Sequence, residues 1–93
     1  MKYEIIMTSA FKKELKNIKK RNKDLFKLTE IVNKLASDIE LDAKNKDYQL
    51  INNLRFQNCR ECHIEPDCLL VYKKDNRNLI LFLIETGIHS DLF

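Results

Sequence analysis

Only two histidines occur in the chain, His63 and His89, and each lies where a short apolar run gives way to turn residues. An imidazole, with an unperturbed pKa of about 6.5, takes up or releases a proton near neutrality. A carboxylate close by orients the ring or favours its charged form. His63 sits near the end of the run Cys59-Arg60-Glu61-Cys62-His63-Ile64, Glu65-Pro66-Asp67 reads as a β-turn around a φ-locked proline, and Asp67 opens the next run. A hairpin at this point brings the imidazole and the carboxylate to one sheet edge. His89 follows the only glycine, Gly87, just beyond the apolar run Leu79–Ile84, so a sheet can gather all three groups. The chemistry open to such a set is general acid–base catalysis; the alternative is that they are ordinary turn and packing residues.

Cys59 and Cys62, with His63 and Cys68 nearby, have the short spacing of a zinc site. Extended backbone argues against it, because residues three positions apart on one strand point to opposite faces. Arg60 and Glu61 also stand where a zinc knuckle needs a turn. The expectation is three buried small side chains and no metal. An odd number of cysteines closes no disulfide framework and suits a reducing compartment. The sequence has no glycine-rich phosphate loop, Walker lysine or Gly-x-Ser-x-Gly elbow, which excludes nucleotide hydrolysis and α/β-hydrolase chemistry.

The elements that must hold these residues follow from the pattern. A chain of 93 residues with 44% hydrophobic and 33% charged residues makes one compact domain, residues 1–93. It contains no apolar run approaching the roughly 18 to 20 residues that span a bilayer, and its first apolar stretch is too short for a signal peptide, so a cytoplasmic location is expected. Lys2–Met7 reads as a strand, and Thr8 and Ser9 as the cap of a helix in which Phe11, Leu15 and Ile18 share one face. Asn22 can cap a second helix, where Leu25, Leu28, Val32, Leu35 and Ile39 keep the period and Ile31 and Ala36 widen the stripe. After a loop over Asp38–Asn53, short runs at Leu54–Gln57, Cys59–Ile64, Cys68–Lys74 and Leu79–Ile84 predict a meander of antiparallel strands. The last, apolar on both faces, belongs inside the sheet. The fold class is α+β: an N-terminal strand and a helical hairpin packed on a small twisted antiparallel sheet.

Charge is unevenly spread. The formal net charge is +3, yet residues 11–27 carry eight basic side chains against Glu14 and Asp24. A concentrated patch attracts a polyanion, which makes Lys12, Lys16 and Lys19 candidate nucleic-acid contacts. The terminal Phe93 either pins the end of the chain to the core or offers a ring on which a base can stack.

The run Cys59-Arg60-Glu61-Cys62-His63-Ile64-Glu65-Pro66-Asp67-Cys68-Leu69-Leu70-Val71-Tyr72, followed by Thr86-Gly87-Ile88-His89-Ser90-Asp91-Leu92-Phe93, resembles the YafQ-like branch of the RelE/ParE toxin superfamily. The resemblance implies a toxin of a type II toxin-antitoxin pair that cleaves messenger RNA on the ribosome without metal or other cofactor and is silenced by a cognate antitoxin. The family pattern Arg-Glu-x-His-x-x-Pro-Asp falls on Arg60, Glu61, His63, Pro66 and Asp67, its second histidine on His89 and its terminal aromatic on Phe93. By this resemblance His89 is the general acid, His63 with Asp67 serves proton transfer and substrate positioning, and Phe93 holds a base. Arg60 and the basic first helix contact phosphates. A base removes the ribose 2′-OH proton, the oxygen attacks the adjacent phosphate, and an acid protonates the leaving 5′-oxygen.

The sequence departs from the pattern in three places. Tyr48, within Lys46-Asp47-Tyr48-Gln49-Leu50, stands where a catalytic histidine is usual, and a phenol is a poorer base at pH 7. Cys68 replaces a residue that is often Trp or Leu. Glu85 stands before Thr86-Gly87 where the family usually has an arginine, which opposes rather than stabilises charge developing on a phosphate and leaves Arg60 or a lysine to substitute. The expected activity is therefore attenuated. The competing expectation is a non-catalytic module of the same fold that binds an antitoxin or DNA, or a gyrase inhibitor of the sister family, which needs no acid–base residues.

Overall fold

The computed structural model describes residues 2–21, 25–88 and Leu92. Among them, five strands form one mixed sheet: β1 (Glu4–Met7), β2 (Tyr48–Gln49), β3 (Arg60–Glu65), β4 (Cys68–Asp75) and β5 (Ile80–Ile88), in the order β1-β5-β4-β3-β2. Two helices, α1 (Ser9–Lys20) and α2 (Leu25–Ala36), cover one face. The proposed cap Asn22 lies outside the described residues, as do His89 and Phe93.

Thr8 sets the start of α1. Its hydroxyl oxygen accepts the Phe11 N–H at 3.0 Å as an N-cap and donates to the Ile84 carbonyl at 2.5 Å, so the cap also ties the helix to β5. α1 buries Phe11 and Ile18 and leaves its lysines in water, whereas α2 buries Leu28, Ile31, Val32, Leu35 and Ala36. These side chains join Cys62, Leu70, Leu81 and Leu83 in the main core. A second, smaller core forms on the other face of the sheet from Phe56, Cys59, Leu69, Val71 and Leu92. Residues 68–72 of β4 are all buried because both faces are covered there. Cys59 packs in the small core and Cys62 in the main one, on opposite faces as their spacing requires.

Three expectations need correction. Leu54–Gln57 is a turn, not a strand: the Asn53 side-chain oxygen accepts the N–H groups of Arg55 and Phe56, and of the apolar pair only Phe56 is buried, Leu54 being 88% exposed. The apolar strand does not end at Ile84 but runs through Thr86, whose hydroxyl donates to the Leu69 carbonyl at 2.7 Å, to Ile88. Gly87 takes φ 153°, a conformation that side-chain-bearing residues rarely adopt, so the glycine permits this extension. Finally, β1 pairs with β5 in parallel, Glu4 opposite Ile80 and Met7 opposite Leu83, so only β2–β5 form the antiparallel meander.

Candidate active site

Strand register decides which side chains meet. Tyr48 lies opposite Glu61, Glu61 opposite Val71 and Val71 opposite Glu85; in the next row His63 lies opposite Leu69 and Leu69 opposite Gly87. Directly paired residues project to the same face. Val71 and Leu69 belong to the smaller core, so Tyr48, Glu61, His63 and Glu85 share the face that the helices leave open. Tyr48 is the diagonal neighbour of His63, a separation of roughly 7–8 Å between Cα atoms. Asp67 occupies the tight turn joining β3 to β4, at the same sheet end as His63. The Asn45 amide nitrogen, on a residue 7% exposed, donates to the His63 carbonyl at 2.8 Å and fixes the strand where the histidine stands. Its distance in sequence hid Asn45 from the sequence reading.

Beside His63, a cleft of about 390 Å³ opens between α2, the 3-10 turn Ala43–Asn45 and the end of β3. Lys27, Lys34, Lys44, Lys46, His63 and Pro66 are among its lining residues. Carboxylates temper part of this charge: Lys27 pairs with Glu65 at 3.4 Å, and Lys34 lies 3.8 Å from Glu30 and 3.9 Å from Asp42. Lys12, Lys16 and Lys19 are exposed on α1, outside this cleft. The charge count over 11–27 thus found one basic surface and missed the lysines at 34, 44 and 46, which are too scattered in sequence to form a run.

Arg60 does not face the histidine. It lies opposite Tyr72, a member of the main core, and its Nε donates to Asp47 Oδ1 at 3.1 Å and to the Tyr72 hydroxyl at 3.3 Å, while Nη2 donates to the Asp47 carbonyl at 3.3 Å. Tyr72 OH donates to the same Asp47 oxygen at 2.6 Å. Burial works to lower the Arg60 pKa, but its bonds to Tyr72 and Asp47 outweigh that and raise it. The Tyr72 phenol is pushed well up by burial and by Asp47. Arg60 therefore grips, from the helix side, the segment that presents Tyr48; it is not directed at a phosphate beside His63.

Glu85 is not left as a bare carboxylate. Both of its oxygens accept from Arg55 Nη2 at 2.8 Å, and Arg55 Nη1 donates to the Leu92 carbonyl at 3.3 Å. Arg55 has no pattern in the sequence to mark it; the signal available was Glu85 itself, a carboxylate in a mostly apolar strand that requires a partner. Burial pushes the Cys62 thiol up to about 12 and raises that of Cys59, which disfavours the thiolate form at both positions. Among the described residues no group of three His, Cys, Asp or Glu side chains is placed to hold a metal ion.

This architecture has known counterparts. Residues 3–93 match the family described as bacterial toxin of type II toxin-antitoxin system, YafQ. The mRNA interferase toxin YafQ of Escherichia coli (strain B / BL21-DE3) is 33% identical over 97% of this chain and 95% of its own length. A metal-bound toxin from Helicobacter pylori has 40% identity and a TM-score of 0.90 over 98% of this chain and 99% of its own. YafQ in the E. coli DinJ-YafQ toxin-antitoxin complex has 31% identity and a TM-score of 0.86 over 100% and 99%. The chain belongs to the YafQ family of bacterial type II toxins.

Proposed function

We propose that this toxin is a ribosome-dependent mRNA endoribonuclease of the cytoplasm, neutralised by a cognate antitoxin and working by acid–base catalysis without a metal. The observation that carries the reading is the β2–β3 edge of the sheet, where Tyr48 and His63 are diagonal neighbours on the open face, His63 also borders the lysine-lined cleft against α2, and Asp67 lies one turn away. The name of the E. coli relative, mRNA interferase toxin, and that toxin's complex with DinJ support the activity and the partner class. In this scheme Tyr48 is the weakened base, His63 with Asp67 moves the proton and positions the ribose, and His89 protonates the leaving 5′-oxygen. Phe93 stacks on a base, and the exposed Lys12, Lys16 and Lys19 add phosphate contacts. Arg60 acts behind the site, holding the Tyr48 segment through Asp47.

His63→Ala should lower cleavage of mRNA on purified ribosomes by about 10²–10⁴-fold at unchanged melting temperature. Wild-type rates from that variant would overturn the acid–base assignment. A wild-type chain that binds its antitoxin tightly yet cleaves nothing would establish the non-catalytic module instead. Protein stripped of metal before mixing should cleave as fast as untreated protein; stoichiometric metal whose removal abolishes cleavage would refute metal independence.

A further inference from the structure

The chain has four arginines, and their placements differ. Arg21 ends α1, Arg77 lies in the β4–β5 turn at the sheet end away from Asp67, and Arg60 is engaged on the helix side. Arg55 alone stands over the open face that carries His63 and Tyr48.

Its guanidinium is held on three sides. Glu85, with a side chain 13% exposed, takes two hydrogen bonds of 2.8 Å, the Leu92 carbonyl takes a third at 3.3 Å, and the Phe56 ring lies 4.8 Å beneath. The backbone behind it is fixed as well, by the Asn53 side chain that accepts the Arg55 and Phe56 N–H groups and by burial of Phe56. Even so the Arg55 side chain remains 55% exposed. A surface arginine in water gains little from being held so closely, because a lone exposed ion pair contributes little stability. The same clamp on a binding surface removes the ordering cost of a flexible side chain and holds its charge in one place, with more than half of the side chain open to a ligand. Counting strand spacings, Glu85 lies roughly 12 Å from His63, two strands over and one row along.

We propose that Arg55 is the phosphate-contacting cation of the RNA site, supplied by the loop instead of by β5, and that Glu85 is its positioning residue. This rests on the nuclease reading above. The carboxylate at position 85 is then the anchor of a displaced guanidinium, and the site keeps a cation against the charge developing on phosphate.

The experiment measures cleavage on ribosomes together with affinity for a short 2′-O-methyl RNA, which binds without being cut. Arg55→Ala should reduce cleavage about a hundredfold and shrink the slope of log Kd against log salt by about 0.7, with Arg55→Lys falling between it and wild type. Arg55→Glu should be worse, since it sets two carboxylates together. The exchange Arg55→Glu/Glu85→Arg restores the ion pair with the guanidinium on β5 and should recover at least tenfold over Arg55→Glu. Melting temperatures of all variants separate folding from function. Recovery of melting temperature by the exchange without recovery of cleavage or of the salt slope would make the pair purely structural and overturn the proposal. So would Arg55→Ala cleaving normally while His63→Ala does not, an outcome that leaves the nuclease reading intact. If the wild-type chain cleaves nothing, both readings fail together.

Discussion

On the face covered by α1 and α2, the sheet contributes Cys62, Leu70, Tyr72, Leu81 and Leu83 to a core closed by regular helices, and a polar cluster there, Asp47 with Arg60 and Tyr72, is mutually bonded. On the opposite face, Leu69 and Val71 are covered by a loop residue, Phe56, and by Leu92, and around that small core stand Tyr48, Glu61, His63 and the Arg55–Glu85 pair. Both faces bury leucines completely. They differ in what does the covering. Helices bring a long apolar stripe, whereas a loop anchored by single residues seals the sheet locally and leaves ionisable groups at the rim. The larger core lies on one face, and Tyr48 and His63, proposed for the chemistry, lie on the other.

That contrast is open to direct attack, beginning with the largest effect. Leu81→Ala, at a site with no exposure in the main core, should cost about 2–5 kcal/mol in urea unfolding. Phe56→Ala should cost less, about 1–3 kcal/mol, because the loop it anchors can detach while the sheet stays folded. Native-state hydrogen exchange then separates the two: Phe56→Ala should deprotect the Leu50 amide, bonded to the Cys59 carbonyl, without deprotecting β4 or β5, and cleavage should fall with it because Arg55 is carried on that loop. Equal global losses from the two variants would show the open face to be as integral to folding as the covered one.

The same division explains what could be read from sequence. The covered face was legible because its residues obey regular periods: Phe11, Leu15 and Ile18 in α1, Leu28 to Ala36 in α2, and the doubly apolar β5. Tyr48, His63 and Asp67 were singled out as candidates through turn chemistry and family resemblance, and the register makes the first two diagonal neighbours. What escaped depends on long-range contact. The parallel pairing of β1 with β5 leaves no local mark, and neither does the bond from Asn45 to the His63 carbonyl. Leu54–Gln57 has the composition of a strand, but the side chain of Asn53 turns the backbone before it can pair. The family resemblance gave Arg60 a phosphate contact, whereas an odd separation from His63 along one strand sends the two side chains to opposite faces.

An intermediate effect belongs to the polar cluster behind Tyr48. Tyr72 is 1% exposed and its hydroxyl bonds to Asp47, whose carboxylate keeps Arg60 as a second donor, so Tyr72→Phe should cost about 1–2 kcal/mol. Cleavage per folded molecule should change less than tenfold, since the variant loosens the Tyr48 segment without touching the open face. The pH dependence gives a separate check. The raised pKa means that the stability from the neutral phenol is present below the ordinary value of 10.0 and is lost as the pH rises beyond it. The gap between wild type and Tyr72→Phe should therefore narrow in alkaline urea titrations. A hundredfold loss of cleavage at full stability would instead assign Tyr72 to the chemistry and break the division between faces.

The smallest effect lies at the edge of the covered face, where Asp38 accepts from Lys2 Nζ at 2.9 Å and Lys74 Nζ at 3.1 Å, fastening the chain before β1 to β4. Asp38 has φ 59°, and asparagine tolerates this left-handed backbone as well as aspartate does, so Asp38→Asn removes the charge without adding strain. The hydrogen bonds and charges of Lys2 and Lys74 lower the Asp38 pKa from 3.8, and Asp38 in turn raises that of Lys2 from 10.5. A lowered carboxylate pKa gives stability that is present above 3.8 and lost as the pH falls through the lowered value, whereas the raised lysine pKa gives stability present below 10.5 and lost as the pH climbs through the raised one. Between those limits Asp38→Asn should lower the melting temperature by only about one or two degrees, less in high salt, because water and ions screen so exposed a cluster. Acidification should erase the difference, and cleavage on ribosomes should be unchanged throughout. A loss of cleavage from this variant at neutral pH would mean that the covered face communicates with the open one.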